Sequence, residues 1–124
     1  MLVMSALPVT IRYMERDDLP QVLTIETGAH LWPWQEEDFL RTLRQRDHVG
    51  QVAVANGRIL GFMVYQLVRK QNAMHLLNLS VHPEFKRLTI GSQLIAYLKA
   101  KVSPNQKRTM KRIMATVWER NVPA

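Results

Sequence analysis

The chain has 124 residues, nearly half of them hydrophobic, with no cysteine and a formal net charge of +7 at pH 7. That length and apolar content describe a single domain over residues 1–124 with its own core, and they exclude a disordered chain. The lack of cysteine excludes disulfide scaffolds, thiol nucleophiles and cysteine-ligated zinc together.

In chain order, residues 8–14 alternate (Val9, Ile11, Tyr13) and predict a first strand. Asp17 or Asp18 then caps a helix whose first turn accepts Pro20, with Leu19, Val22, Leu23 and Ile25 at helical spacing and Gly28 at its end. His30-Leu31-Trp32-Pro33-Trp34 makes an aromatic connection to a second helix over 35–46, where Phe39, Leu40 and Leu43 form the apolar stripe. The period then changes to two. Residues 51–55 read as a strand, Asn56-Gly57 as a tight hairpin turn, and 58–68 as the returning strand. Gln71-Asn72 turns the chain into another strand over 74–81. Ile90, Leu94, Ile95, Leu98 and Val102 mark a helix from Ile90 to about Lys101, which Ser103-Pro104-Asn105 breaks before a last strand over 110–118. The order β-α-α-β-β-β-α-β is that of an α+β domain, a mixed sheet with helices packed on it.

The run His82-Pro83-Glu84-Phe85-Lys86-Arg87-Leu88-Thr89-Ile90-Gly91-Ser92 joins a strand to a helix N-terminus. First-turn amides have no intrahelical partner, the helix dipole is positive there, and Lys86 and Arg87 add charge, so phosphate is the expected ligand. The cations Lys99, Lys101, Lys107, Arg108, Lys111 and Arg112 cluster near the end, but no aromatic residue interleaves them. A solvated surface is therefore expected there rather than a nucleic-acid stripe.

The element order, the turn Val81-His82-Pro83-Glu84-Phe85-Lys86-Arg87 and the ending Glu119-x-Asn121 resemble the GNAT superfamily of N-acetyltransferases. Within it the chain is similar to the RimI-like ribosomal-protein alanine acetyltransferases. The residues that carry this are Ile25-Glu26 with Ala29-His30, Pro33-Trp34-x-Glu36-x-x-Phe39, and Leu77-Asn78-Leu79-Ser80-Val81-His82-Pro83. The resemblance implies acetyl-CoA as cosubstrate, a protein or peptide N-terminus as acceptor, and direct acetyl transfer; no histidine has a second ligand at metal spacing, so no metal is expected. It implies that main-chain groups of Leu79 and Val81 meet the acetyl carbonyl and pantetheine. Amides of Arg87, Leu88, Thr89, Ile90, Gly91 and Ser92 would meet the pyrophosphate beside Lys86, with Asn121 along the cofactor arm. Thr89 stands where the family turn carries glycine. A positive φ there strains a β-branched residue by about 1–3 kcal/mol, and its hydroxyl is open to donating to phosphate. The family's strand-borne glutamate base falls on Thr116, and its tyrosine acid lies beyond Ala124. The fold is thus expected to lack its C-terminal helix and strands, leaving an open sheet edge through which a homodimer can form. A degenerate domain that binds CoA without turnover is the alternative, and a basic nucleic-acid module a further one.

For chemistry on the acceptor, His75 is the candidate base, against the reading of a half-exposed strand histidine. His30 is open between touching substrate and packing, and His82 reads as part of the turn. Trp32 and Trp34 are candidates for the substrate groove; for Trp34 the competing role is an aromatic staple between the second helix and the sheet. Glu36, like Glu26, is placed either to attract a cationic amine or to serve a helix face. No apolar run reaches the roughly 20 residues of a membrane span, and residues 1–7 lack a basic head. The cytoplasm is the expected compartment.

Overall fold

A computed structural model of the chain describes residues 7–86 and 88–101, together with the main chain of 112–115. Five strands, β1 (Thr10–Tyr13), β2 (His48–Ala55), β3 (Arg58–Val68), β4 (Ala73–Val81) and β5 (Arg112–Ala115), form one sheet in the order β1-β2-β3-β4-β5. Pairing is antiparallel as far as β4, and β5 joins β4 in parallel. Among the described residues three α-helices accompany it: α1 (Leu19–Ala29), α2 (Glu36–Arg44) and α3 (Ile90–Lys99). The predicted order of elements is the order found.

The sheet separates two cores, each built from one pleat face. Val52, Ile59, Phe62 and Val64 pack against Leu19, Val22 and Ile25 of α1 and Phe39 of α2. Ala53, Leu60, Met63, Tyr65 and Met74 pack against Ile90, Leu94 and Leu98 of α3. Both faces of β3 are covered, which is why seven of its residues in succession, Ile59 to Tyr65, are buried. Asn56 (φ 52°) and Gly57 (φ 77°) both take positive φ in the turn between β2 and β3, as the two-residue Asn-Gly hairpin requires.

Two irregularities in the sheet decide where the groups near α3 point. In β3, Leu60 is an extra residue between the pairs Ala53↔Gly61 and Val54↔Ile59. Leu60 and Gly61 therefore both turn towards α3, and a Cβ on Gly61 would lie 3.0 Å from Ile90 Cγ2. Glycine is what lets the start of α3 settle onto the sheet. In β4, Leu77 is extra between Val64↔Asn78 and Tyr65↔Leu76. Such a bulge re-aims the residues beyond it.

β2 begins at His48, three residues before its predicted start. Gly50 hid it: a Cβ there would meet Leu43 Cδ2 of α2 at 3.0 Å, so the strand carries glycine where the helix crosses. Among the described residues no helix is long and apolar enough to cross a membrane.

Candidate functional site

The turn between β4 and α3 begins with a single 3-10 turn, Pro83–Phe85. His82 Nδ1 accepts from the Glu84 amide (3.2 Å), and the Arg58 guanidinium lies over the Phe85 ring (5.2 Å). His82 is thus a turn-former, as read from the sequence. Thr89 follows in the left-handed region (φ 64°, ψ 19°) as the residue before α3. The first intrahelical bond runs from the Gln93 amide to Thr89 O (2.9 Å). The amides of Thr89, Ile90, Gly91 and Ser92 meet no main-chain acceptor among the described residues outside their own helix. They face the positive end of the helix dipole, a geometry that holds anions.

Two expectations for this turn are corrected. The Leu88 amide is not available to a ligand, because it donates to Phe85 O (3.2 Å). The Thr89 hydroxyl does not point to phosphate either; it donates to Leu88 O (2.5 Å) and accepts from Gln93 Nε2 (3.3 Å). The same Gln93 side chain also ties down residues 7–9, donating to Leu7 O (2.7 Å) and accepting from the Val9 amide (3.1 Å).

The second half of β4 lies beside these amides. His82 N donates to Leu60 O (2.7 Å), and the register continues unbroken through Gly61↔Val81, Phe62↔Ser80 and Met63↔Leu79. Bonded and non-bonded pairs alternate in an antiparallel ladder. Ser80 therefore turns its main-chain groups to β3, whereas Leu79 and Val81 turn theirs to the opposite side. The described pairing with β5 stops at Leu76↔Ala115, short of both. A Cβ on Gly91 would stand 3.5 Å from Val81 Cγ2 and 3.9 Å from Leu79 Cδ2, so the start of α3 lies directly against this stretch. A groove of about 500 Å³ runs on from there, lined by Leu76, Leu79, Gly91, Ser92, Ile95 and Lys99 among others.

On the face of β4 towards α1, an ionisable cluster is closed off from water. Glu26 is fully buried, Asn78 and Ser80 are each 4% exposed, and the His30 side chain is 8% exposed. Glu26 Oε1 accepts from Asn78 Nδ2 (3.0 Å) and Glu26 Oε2 from the Trp34 amide (2.8 Å). His30 Nε2 lies 2.6 Å from Ser80 Oγ and 3.4 Å from Glu26 Oε1. Buried polar groups persist when they are bonded to one another, and these are, except for His30 Nδ1. Sequence reasoning weighed Glu26 and His30 singly and missed the cluster. Its signal was present in two polar residues, Asn78 and Ser80, set in the apolar run 76–81 opposite a Glu-x-x-x-His turn of helix.

The other candidates are dispersed. His75 is half-buried on β4, paired in register with Gln66 and Met114. It is four residues from Leu79, roughly 13 Å along a strand, so the structure does not bring it to the turn. Trp34 stands edge-on to Phe39 (5.0 Å), which stands edge-on to Phe62 (5.6 Å), making Trp34 the staple between α2 and the sheet. Trp32 is 65% exposed, and Glu36 is exposed in the first turn of α2. Tyr65 donates to Gln51 (3.0 Å), and burial raises its hydroxyl pKa, which leaves it a core residue. Lys86 is exposed at the turn; Arg87, Thr116, Glu119 and Asn121 lie outside the described residues.

Residues 19–124 match the acetyltransferase (GNAT) family. The chain is 30% identical over 109 residues to the [ribosomal protein bS18]-alanine N-acetyltransferase of Escherichia coli K12, covering 88% of this chain and 67% of the relative. The crystal structure of the ribosomal-protein-S18-alanine N-acetyltransferase from Escherichia coli superposes with a TM-score of 0.65 at 30% identity, covering 73% of this chain and 56% of that one. The PaiA N-acetyltransferase of Thermoplasma acidophilum, solved in complex with coenzyme A, shares the fold at 18% identity, with a TM-score of 0.58 over 76% of this chain and 71% of that one. The chain thus spans between about half and two-thirds of the length of these two Escherichia coli alanine acetyltransferase matches.

Proposed function

This chain belongs to the acetyltransferase (GNAT) family, and on that premise we propose that it transfers the acetyl group of acetyl-CoA directly to a protein N-terminal α-amine, of the ribosomal-protein alanine type. One observation carries the reading. Main-chain groups of Leu79 and Val81 that β3 does not use lie against a helix start whose first amides have no acceptor outside the helix among the described residues. The residues fit coenzyme A at both ends. The amides of Thr89, Ile90, Gly91 and Ser92 take the diphosphate, with Lys86 and Arg87 supplying positive charge. The groove along α3 takes the apolar arm.

Bound there, acetyl-CoA presents a thioester, an acyl donor that a neutral amine can attack. A main-chain N–H at Leu79 or Val81 donates to the carbonyl oxygen, which gains charge as the tetrahedral centre forms, and such fixed donors need no reorganisation during the step. Trp32 and Glu36, exposed in and just after the connection between α1 and α2, are the side chains offered to the acceptor peptide. The kinship with a ribosomal-protein alanine acetyltransferase supports an N-terminal amine as acceptor.

The test is mass spectrometry of peptides that begin with alanine, incubated with the purified chain and acetyl-CoA. One acetyl group gained at the α-amine, only with both components present, is the expected result. A chain that binds CoA and acetylates no peptide would instead be a CoA-binding domain without turnover. A chain that binds no CoA refutes the proposal entirely.

A further inference from the structure

The transfer must take a proton from the attacking amine, and the buried cluster on β4 has the parts to do so. Ser80 sits between Leu79 and Val81, the residues that turn their main-chain groups to the acetyl site, and its own side chain faces α1. A hydroxyl 2.6 Å from an imidazole nitrogen is the arrangement that lets a serine pass a proton on. The carboxylate of Glu26 lies 3.4 Å from the same nitrogen. Asn78 Nδ2 and the Trp34 amide both donate to that carboxylate. The remaining ring nitrogen, Nδ1, is buried and has no hydrogen-bond partner among the described residues. Glu26 and Asn78 have a structural use in holding each other and the Trp34 amide, but the imidazole and hydroxyl of His30 and Ser80 could be replaced by apolar groups with less buried polarity.

Resting on the acetyl-transfer reading above, we propose that Ser80 and His30 form the proton relay of the reaction, with Glu26 as its counter-charge. As the amine nitrogen bonds to the acetyl carbon, its proton passes to Ser80 Oγ while the serine's own proton passes to His30 Nε2. The ring enters the step with its proton on Nδ1, leaving Nε2 free to accept. The imidazolium so formed stands beside the Glu26 carboxylate, which offsets its charge in a site closed to water. The carbon–sulfur bond then breaks, and the coenzyme A thiolate takes up the proton as the relay runs back. One proton leaves the amine and one reaches the thiol, so the ring ends neutral. Among the described residues Glu26 and Ser80 contact the ring directly; Asn78 Nδ2 and the Trp34 amide bond Glu26 behind it, and Asn78 Oδ1 also lies 3.5 Å from Ser80 Oγ. Ser80 meets the substrate, and His30 and Glu26 act through it as positioning residues.

The test is steady-state acetylation of an alanine peptide at one fixed pH, with CoA affinity measured by calorimetry on the same preparations. Ser80→Ala and His30→Gln should each lower kcat by about a hundredfold or more while leaving CoA affinity and the KM for acetyl-CoA within about twofold. Full activity in either variant, or a loss that falls on the KM for acetyl-CoA and not on kcat, overturns the relay. Should His30→Gln fail to fold, Ser80→Ala decides alone, because it deletes a single hydroxyl. A wild type that binds CoA and acetylates nothing refutes the transfer reading and the relay with it. An active wild type with equally active variants sinks the relay only.

Discussion

Thr89 carries a φ of 64°, a region in which a β-branched residue is rare, so its replacement isolates backbone strain at the start of α3. Replacement by glycine alone is ambiguous, because it also removes the hydroxyl bonds to Leu88 O and Gln93. Comparing Thr89→Gly with Thr89→Ala cancels that loss, since both variants lack the hydroxyl. What remains is the cost of a Cβ in the left-handed region, about 1–2 kcal/mol, opposed by the extra unfolded-state freedom of glycine, roughly 0.5–1 kcal/mol. Thr89→Gly should therefore be more stable than Thr89→Ala by about 1 kcal/mol, which for a domain of this size is a Tm difference of roughly 3–5 °C. Urea unfolding with a shared m-value reads the difference directly. Equal stability, or a more stable alanine variant, would show that residue 89 does not hold this conformation.

Gly61→Ala should destabilise by about 1–3 kcal/mol in the same assay, because the new Cβ meets Ile90 Cγ2 at 3.0 Å and Ser80 O at 3.1 Å. Gln93→Ala should cost about 1–2 kcal/mol; it also frees the amide that Gln93 Oε1 accepts, so hydrogen exchange at Val9 should accelerate while exchange in β3 stays slow. Hydrogen bonds from Arg12 hold the Asp18 carboxyl below its ordinary value of 3.8. A depressed carboxyl pKa stabilises the fold above that value and is lost as pH falls through the folded one. Stability should thus decline below about pH 4 in the wild type, and Arg12→Ala should flatten that limb; an unchanged acid limb in the variant would contradict the pairing.

How much of this was legible in the sequence depended on how local the signal was. β3 was read at both of its ends, because Asn56-Gly57 dictates a hairpin and the alternating faces of 58–68 have little helical alternative. The turn into α3 was read from its cations and its helix start, and Thr89 was marked as the strained position. The extra residues Leu60 and Leu77 left no trace, since a bulge is a property of two paired strands and neither strand alone encodes it. The cluster of Glu26, His30, Asn78 and Ser80 was hidden for a related reason. His30 and Ser80 are fifty positions apart, and no periodicity within α1 or β4 says which faces meet. His75 drew attention as the one histidine within a predicted strand beside the turn. The extended geometry of β4 is what separates it from Leu79.

The central claim is that the helix-start amides and the open main chain of β4 bind one ligand together. Amide chemical shifts recorded during a titration with coenzyme A test it most directly. The largest changes should fall on Thr89, Ile90, Gly91 and Ser92 together with Leu79 and Val81, while amides of β1 and α2 stay in place. Saturable binding that leaves those six amides unmoved, or no binding at all, would contradict it.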